Sequence, residues 1–252
     1  MQDQTTGEAI EIVAIIIPTL NEGRSIGKVI DDVPVADLLK NGLKTVVYVI
    51  DGNSTDNTRE IAVEKGAQLI LEGNKGKGSA IQTAFKSIKA DYVIMVDGDN
   101  TYPIEMAMEM TRLLKTNDVV IGSRLKGTVE RGAMTKLNVV GNTLLSLLAR
   151  ALFGAHISDV CTGFWGYRGD SIRRFELSAR GFEIEADMFA ECVRNGLCIV
   201  EIPITYRARE DRPKLSSLRD GVKIGLFLCK RRLGQAYENV GQTQVEKKHG
   251  AG

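Results

Sequence analysis

The chain is poor in cysteine: Cys161, Cys192, Cys198 and Cys229 are the only four in 252 residues, and no two stand at C-x-x-C spacing. That scatter argues against a zinc site or a disulfide framework and for small core residues in a reducing compartment. Long hydrophobic runs are missing as well, since no apolar stretch approaches the about 18 residues that a spanning helix needs. The first residues, MQDQTTGEAIE, lack the basic and apolar regions of a secretion signal. A cytosolic protein that does not span a membrane is the expectation. Neither sign of charge is in excess, the net value being +1, so whole-molecule electrostatics gives no argument for nucleic acid. No internal repeat is visible, and neither G-x-x-x-x-G-K-[ST] nor G-x-G-x-x-G occurs.

What is present is patterning. With 43% hydrophobic residues the chain can bury a real core. Apolar runs predict strands at Ile12–Ile17, Thr45–Ile50, Gln68–Leu71, Tyr92–Val96 and Asp118–Ile121. Between them, helical patterns start at an N-cap Ser25, near Asn57 behind a capping Asp56, and over Ala80–Lys89 and Ile104–Lys115. Such alternation predicts an α/β fold: a doubly wound, mostly parallel sheet with helices on both faces. Past Arg124 the character changes. Residues 126–136 read as a loop, and Leu137–Phe153 as a leucine-rich helix, either buried on the sheet or lying partly against a membrane surface. Phe182–Arg194 reads as a helix whose Glu183, Glu185 and Asp187 favour its dipole, Ile199–Tyr206 as an edge strand because of Pro203, and Gly221–Leu233 as an amphipathic helix carrying Lys223, Lys230, Arg231 and Arg232. Residues 1–11 and 234–252 are expected to be flexible, and 12–233 to form one domain in two halves, 12–124 and 125–233.

Three of the predicted strands run into polar clusters that hold a carboxylate: Glu22 after the first, Asp51 after the second, Asp97 and Asp99 after the fourth. In a parallel sheet these ends share one edge, the edge where ligands bind. The sequence DGDN at Asp97–Asn100 has the composition of a turn, yet two carboxylates one residue apart also suit a hard divalent cation. Lys77, in the glycine-rich loop EGNKGKGS, and Arg124 can answer phosphate charge. That loop is either a phosphate cradle or a flexible connection.

Seven motifs in order carry a resemblance: PTLNE at Pro18–Glu22, DGNSTD at Asp51–Asp56, GKG at Gly76–Gly78, DGD at Asp97–Asp99, GSR at Gly122–Arg124, SDVCTGF at Ser158–Phe164, and PITYRAR followed by PKLS. Over about residues 12–230 the chain resembles the family 2 glycosyltransferases, and within them the polyprenol-phosphate sugar synthases of the dolichol-phosphate mannose synthase group and its archaeal relatives. The resemblance implies a GT-A fold, a nucleotide-diphosphate sugar as donor, and Mg²⁺ or Mn²⁺. It implies that Pro18, Leu20, Glu22, Lys77 and Gly98 line the nucleotide sugar in the first half and that Asp51 contacts the base. Asp97 then lies by the ribose and metal, and Asp99 is the direct metal ligand. Arg124, Arg209 and Lys214 fall near the donor and acceptor phosphates. Two departures stand out: Thr101 and Tyr102 replace the Gln–His pair of the mannose synthases, and Gly52 replaces a second Asp after Asp51. Both shift the expectation away from a GDP donor and toward a UDP-sugar.

The acceptor implied is polyprenyl (dolichyl) phosphate at the cytoplasmic face of a membrane, in an early step of protein glycosylation or surface glycan synthesis. An ionised phosphate needs no strong base, so inversion by direct attack is expected, with Arg124 and either Arg131 or Lys136 placing the acceptor. Were the acceptor a hydroxyl, Asp159 would be the base, unless it serves as a helix or turn cap. A soluble enzyme using a small phosphorylated acceptor is the alternative, and a homo-oligomer stays open.

Overall fold

The computed structural model describes residues 10–73, 76–209 and 217–249. In chain order it runs β1 (Glu11–Thr19), α1 (Ile26–Asp31), α2 (Val35–Lys40), β2 (Leu43–Asp51), α3 (Thr58–Glu64), β3 (Gln68–Leu71), α4 (Lys77–Ser87), β4 (Tyr92–Met95) and α5 (Ala107–Leu114), the last preceded by a 3₁₀ turn at Ile104–Met106. The remainder is β5 (Val119–Val129), α6 (Lys136–Phe153), β6 (Trp165–Arg168), α7 (Gly169–Ile172), α8 (Ile184–Arg194), β7 (Ile199–Tyr206) and α9 (Ser217–His249).

The seven strands form one sheet in the order β3-β2-β1-β4-β6-β5-β7. Pairing is parallel except around β6, which runs antiparallel to both β4 and β5. Strand β1 is the spine because its apolar run leaves no polar face. Ala14 and Ile16 enter the core on one side of the sheet, while Val13, Ile15 and Ile17 enter the core on the other. Each buried isoleucine contributes about 1.5–3 kcal/mol relative to exposure. From β1 the chain winds outward to β2 and β3, then returns to place β4 on the other flank. The carboxyl ends of β1 and β4 therefore border the crevice where the winding reverses, the place where open α/β sheets bind ligands.

Several expectations change. Strand β5 continues through Gly122–Arg124 to Val129 instead of stopping at Ile121, because β7 pairs along it and Gly127 lies flat against Ile204. Pro203 does sit on an edge strand, as β7 is the last of the order. Ser25 makes no side-chain cap; its hydroxyl donates instead to the Gly98 carbonyl at 2.7 Å. Helix α6 is not buried on the sheet: only Ser146 and Ala149 are buried, while Leu137, Val140, Leu144 and Leu147 are exposed and its inner side packs on α9. Helix α9 continues beyond Leu233 to His249, through a segment whose polar composition points to a flexible tail. Good helix formers such as Gln235, Ala236 and Glu238 extend a helix already nucleated by packing. Most of the segment 1–11 lies outside the described residues.

Candidate active site

Three loops end on the same edge, and each turns through an asparagine in the left-handed region: Asn21 (φ 54°) after β1, Asn53 (φ 74°) after β2 and Asn100 (φ 60°) after β4. Asparagine tolerates this conformation better than most residues. The Asp97–Asn100 segment is thus a turn and a cluster of ligating groups at once. Register brings the loops together: Thr19 at the end of β1 pairs with Asp51 at the end of β2, and Ile16 with Met95. Gly98 is packed so closely that an added Cβ would come 3.0 Å from Thr19.

Asp51 is fully buried. Its Oδ2 accepts from the backbone N–H groups of Asn53 and Ser54, both at 3.0 Å, and from Arg59 Nε at 2.6 Å. Its Oδ1 is buried with no hydrogen-bond partner. A buried acceptor left open costs about 1–3 kcal/mol, so this oxygen is a strong recognition point for a donor N–H. Pro18 and Glu22 are partly buried and Leu20 is 43% exposed beside it on the β1 loop.

Asp97 and Asp99 each face a cation. Lys77 Nζ lies 2.5 Å from Asp97 Oδ1 and 2.5 Å from Glu185 Oε1. Arg209 pairs with Asp99 Oδ2. Burial works against the Lys77 ammonium, but Asp97 and then Glu185 hold its pKa above the ordinary value. Burial lifts the Glu185 carboxyl, with Lys77 pulling the other way. For Arg209 burial again opposes the charge, and Asp99 raises the pKa. The Thr101 hydroxyl donates to Asp99 Oδ1 at 2.6 Å and orients that carboxylate. Tyr102 is buried and its hydroxyl accepts from Gly163 N–H at 2.7 Å; burial pushes the phenol pKa well up. Gly163 in turn allows Asp97 to approach, since a Cβ there would meet Asp97 Oδ2 at 2.3 Å.

Arg124 and Asp159 form a closed pair. The guanidinium donates through Nε to Oδ2 and through its terminal nitrogen to Oδ1, both at 2.7 Å, and Arg124 N–H adds a third bond at 3.0 Å. Asp159 is fully buried, Arg124 nearly so, and the guanidinium lies 5.3 Å over the Tyr206 ring. Burial opposes the Arg124 charge, yet Asp159 leaves its pKa well above normal. Both Asp159 oxygens are thus engaged by Arg124, and the guanidinium is buried against them. Arg131 and Lys136 are exposed, in the loop after β5 and at the start of α6. Lys214 lies outside the described residues.

Sequence reasoning singled out the D-x-D pair but missed Arg59, Gly163 and the role of Glu185. The glycine in SDVCTGF and the carboxylate at the start of α8 were the available signals. Among the described residues no group of three or more His, Cys, Asp or Glu side chains is arranged to hold a metal. Two carboxylates still fit Mg²⁺ or Mn²⁺, because such ions take one or two protein carboxylates and complete their shell with water and substrate phosphate oxygens.

Residues 14–175 match glycosyl transferase family 2. The glycosyltransferase AglJ of Haloferax volcanii is 37% identical over 225 residues, covering 88% of this chain and 72% of that protein. A dolichyl-phosphate hexose transferase of the same organism is 33% identical over 219 residues, covering 86% of this chain and 92% of that one. Among solved structures, glucosyl-3-phosphoglycerate synthase from Mycobacterium tuberculosis, in complex with Mn²⁺, UDP and glucosyl-3-phosphoglycerate, superposes with a TM-score of 0.67 at 22% identity, over 89% of this chain and 80% of that one. The fold is GT-A, and the chain belongs to glycosyl transferase family 2.

Proposed function

We propose that the protein transfers a sugar from a nucleotide-diphosphate sugar, a UDP-sugar, to polyprenyl (dolichyl) phosphate at a membrane face, with inversion at the anomeric carbon. The observation that carries this reading is the sheet edge where Asp97 and Asp99, each paired with a cation, lie on the same side as the open Asp51 Oδ1. Asp51 Oδ1 accepts a base N–H, and Pro18, Leu20, Glu22 and Gly98 line the nucleotide. Asp97 and Asp99 would hold Mg²⁺ or Mn²⁺, which as a Lewis acid stabilises the charge of the departing diphosphate. Lys77 and Arg209, freed from their carboxylates, turn to phosphate oxygens as charge-assisted donors.

The acceptor side favours a phosphate. The one carboxylate that the sequence offered as a base, Asp159, is bound up with Arg124. A phosphate monoester already carries about −1.5 to −2 charge near pH 7 and needs no such base. A homologue's name includes dolichyl phosphate. Helices α6 and α9 also expose Leu137, Leu144, Leu147, Leu218 and Leu226 near the basic Arg131, Lys136, Lys223 and Lys230, the composition of a helix pair that rests on an anionic lipid surface. Among the described residues no helix is long and apolar enough to cross a membrane. In this reading Arg131, Lys136 and Lys214 steer the acceptor phosphate, and Arg124 shapes the floor beneath it.

The experiment is transfer of radiolabelled sugar from a panel of nucleotide sugars to dolichyl phosphate in vesicles, beside the same panel with phosphorylated small molecules. Label in the lipid phase that depends on Mg²⁺ or Mn²⁺ supports the proposal. Transfer to soluble acceptors alone, or to neither, refutes it.

A further inference from the structure

Glu185 has no part in the scheme above, yet it is 5% exposed and faces the D-x-D edge from the first turn of α8. Its distance to the Lys77 ammonium equals that of Asp97, so the ammonium is shared by two carboxylates. The backbone enforces this sharing. A Cβ on Gly76 would lie 2.2 Å from the Arg180 carbonyl oxygen, and one on Gly78 2.3 Å from that of Ala179. Gln82 Nε2 donates to the Ala179 carbonyl at 2.7 Å, and Ser79 N–H to the Arg180 carbonyl at 3.3 Å. The segment leading into α8 is thus seated on the first turn of α4, which sets Lys77 and Glu185 against each other.

Three carboxylates, Asp97, Asp99 and Glu185, face two cations, Lys77 and Arg209. A buried ammonium with Asp97 as its sole partner would hold that oxygen tightly, because separating a buried pair leaves one charge uncompensated. With Glu185 present, Lys77 keeps a counter-charge when Asp97 turns away.

We propose that Glu185 is a positioning residue that tethers Lys77, so that Asp97 can exchange the ammonium for a divalent cation while Lys77 stays at the edge for a donor phosphate oxygen. The inference rests on the glycosyltransferase reading of the site. Glu185 acts through Lys77 and touches neither sugar nor acceptor.

The test measures Mn²⁺ binding without nucleotide, by the spin-resonance signal of free Mn²⁺, and UDP binding with Mn²⁺ present, by calorimetry. Glu185→Gln keeps shape and removes charge. It is expected to weaken Mn²⁺ binding about 10–100-fold, the usual effect of losing a group that supports a metal ligand, and to raise donor KM more than it lowers kcat. Lys77→Gln/Glu185→Gln replaces both partners by neutral groups of similar shape, so it folds even if the single variant does not. Here Asp97 has lost its competitor, and Mn²⁺ affinity is expected to return to within a fewfold of wild type although donor binding stays weak. The inference is overturned if Glu185→Gln leaves Mn²⁺ affinity unchanged and lowers kcat alone, which would make Glu185 an acceptor-side group. It is overturned equally if the double variant binds Mn²⁺ as weakly as the single, since the charge would then act on the ion directly. Wild-type protein that binds neither Mn²⁺ nor UDP would overturn the donor reading itself; binding by wild type with unaltered variants overturns the Glu185 inference alone.

Discussion

Two buried cations flank the D-x-D segment, and they are built to opposite plans. Arg124 meets one carboxylate, Asp159, through three hydrogen bonds in a closed and charge-balanced unit. Lys77 is divided between Asp97 and Glu185, and the neighbouring Asp99 is held by a single arginine with a threonine hydroxyl. A saturated pair gains nothing from a ligand and loses much when broken. In the proposed reading, a shared cluster with one carboxylate in excess admits another cation. The first plan belongs to the framework and the second to exchange, though both sit on one sheet edge.

The largest effect should come from breaking the closed pair. Asp159→Ala leaves the Arg124 guanidinium buried and unpaired, which costs about 3–5 kcal/mol of stability. Chemical denaturation should show the midpoint falling with the slope unchanged. Were Asp159 instead a base with little structural role, the variant would be inactive yet as stable as wild type.

The exchange cluster should behave the other way. Asp99→Ala removes a carboxylate whose partner Arg209 is a quarter exposed and can turn to water, but it leaves the buried Thr101 hydroxyl and N–H without their acceptor, so stability should fall by about 1–3 kcal/mol. Turnover should fall more than a hundredfold, about 3 kcal/mol of barrier, because charge on the leaving diphosphate goes unanswered. Turnover within about tenfold of wild type would remove Asp99 from the metal role.

The second half of the chain offers a milder contrast. Leu144→Asp with Leu147→Asp places charges on an exposed apolar face of α6 and should leave stability nearly unchanged. Affinity for anionic vesicles, read by flotation, should drop at least about 30-fold, since each leucine buried at an interface contributes about 1–2 kcal/mol. Equal flotation of variant and wild type would take the proposed membrane contact off this face of α6.

How much of this was legible in the sequence follows the same division. The strands β1, β2 and β4 are apolar runs with no competing pattern, and their polar ends mark the site edge because strand ends are where a buried run must meet water. The D-x-D pair, Asp51 and Arg209 are readable on that basis and from the motifs. The partner choices are not. Glu185 and Asp187 read as dipole-favouring acids at a helix start, yet both are buried: Glu185 on Lys77, and Asp187 2.8 Å from Arg231 of α9 while accepting from Ser178 and Ala179 N–H. Ion pairs between segments tens to about a hundred residues apart leave no local trace. The same holds for α6, whose Leu137, Leu144 and Leu147 face outward because α9 and α8 cover only the side that carries Leu145, Ser146, Leu148, Ala149 and Leu152.

The smallest expected effect closes the comparison between closed and open pairs, because it separates distance from burial. Lys28 and Asp32 stand one helical turn apart with Nζ 2.6 Å from Oδ2, as short as the contacts at the site, but Lys28 is 57% exposed. Lys28→Ala should change stability by no more than about 0.5 kcal/mol, and less at high salt, since water and ions screen an exposed pair. A loss of several kcal/mol there would mean that short N–O distance alone sets the worth of an ion pair in this fold, and the contrast between Arg124–Asp159 and Lys77–Asp97–Glu185 would then have to be drawn from geometry and not from desolvation.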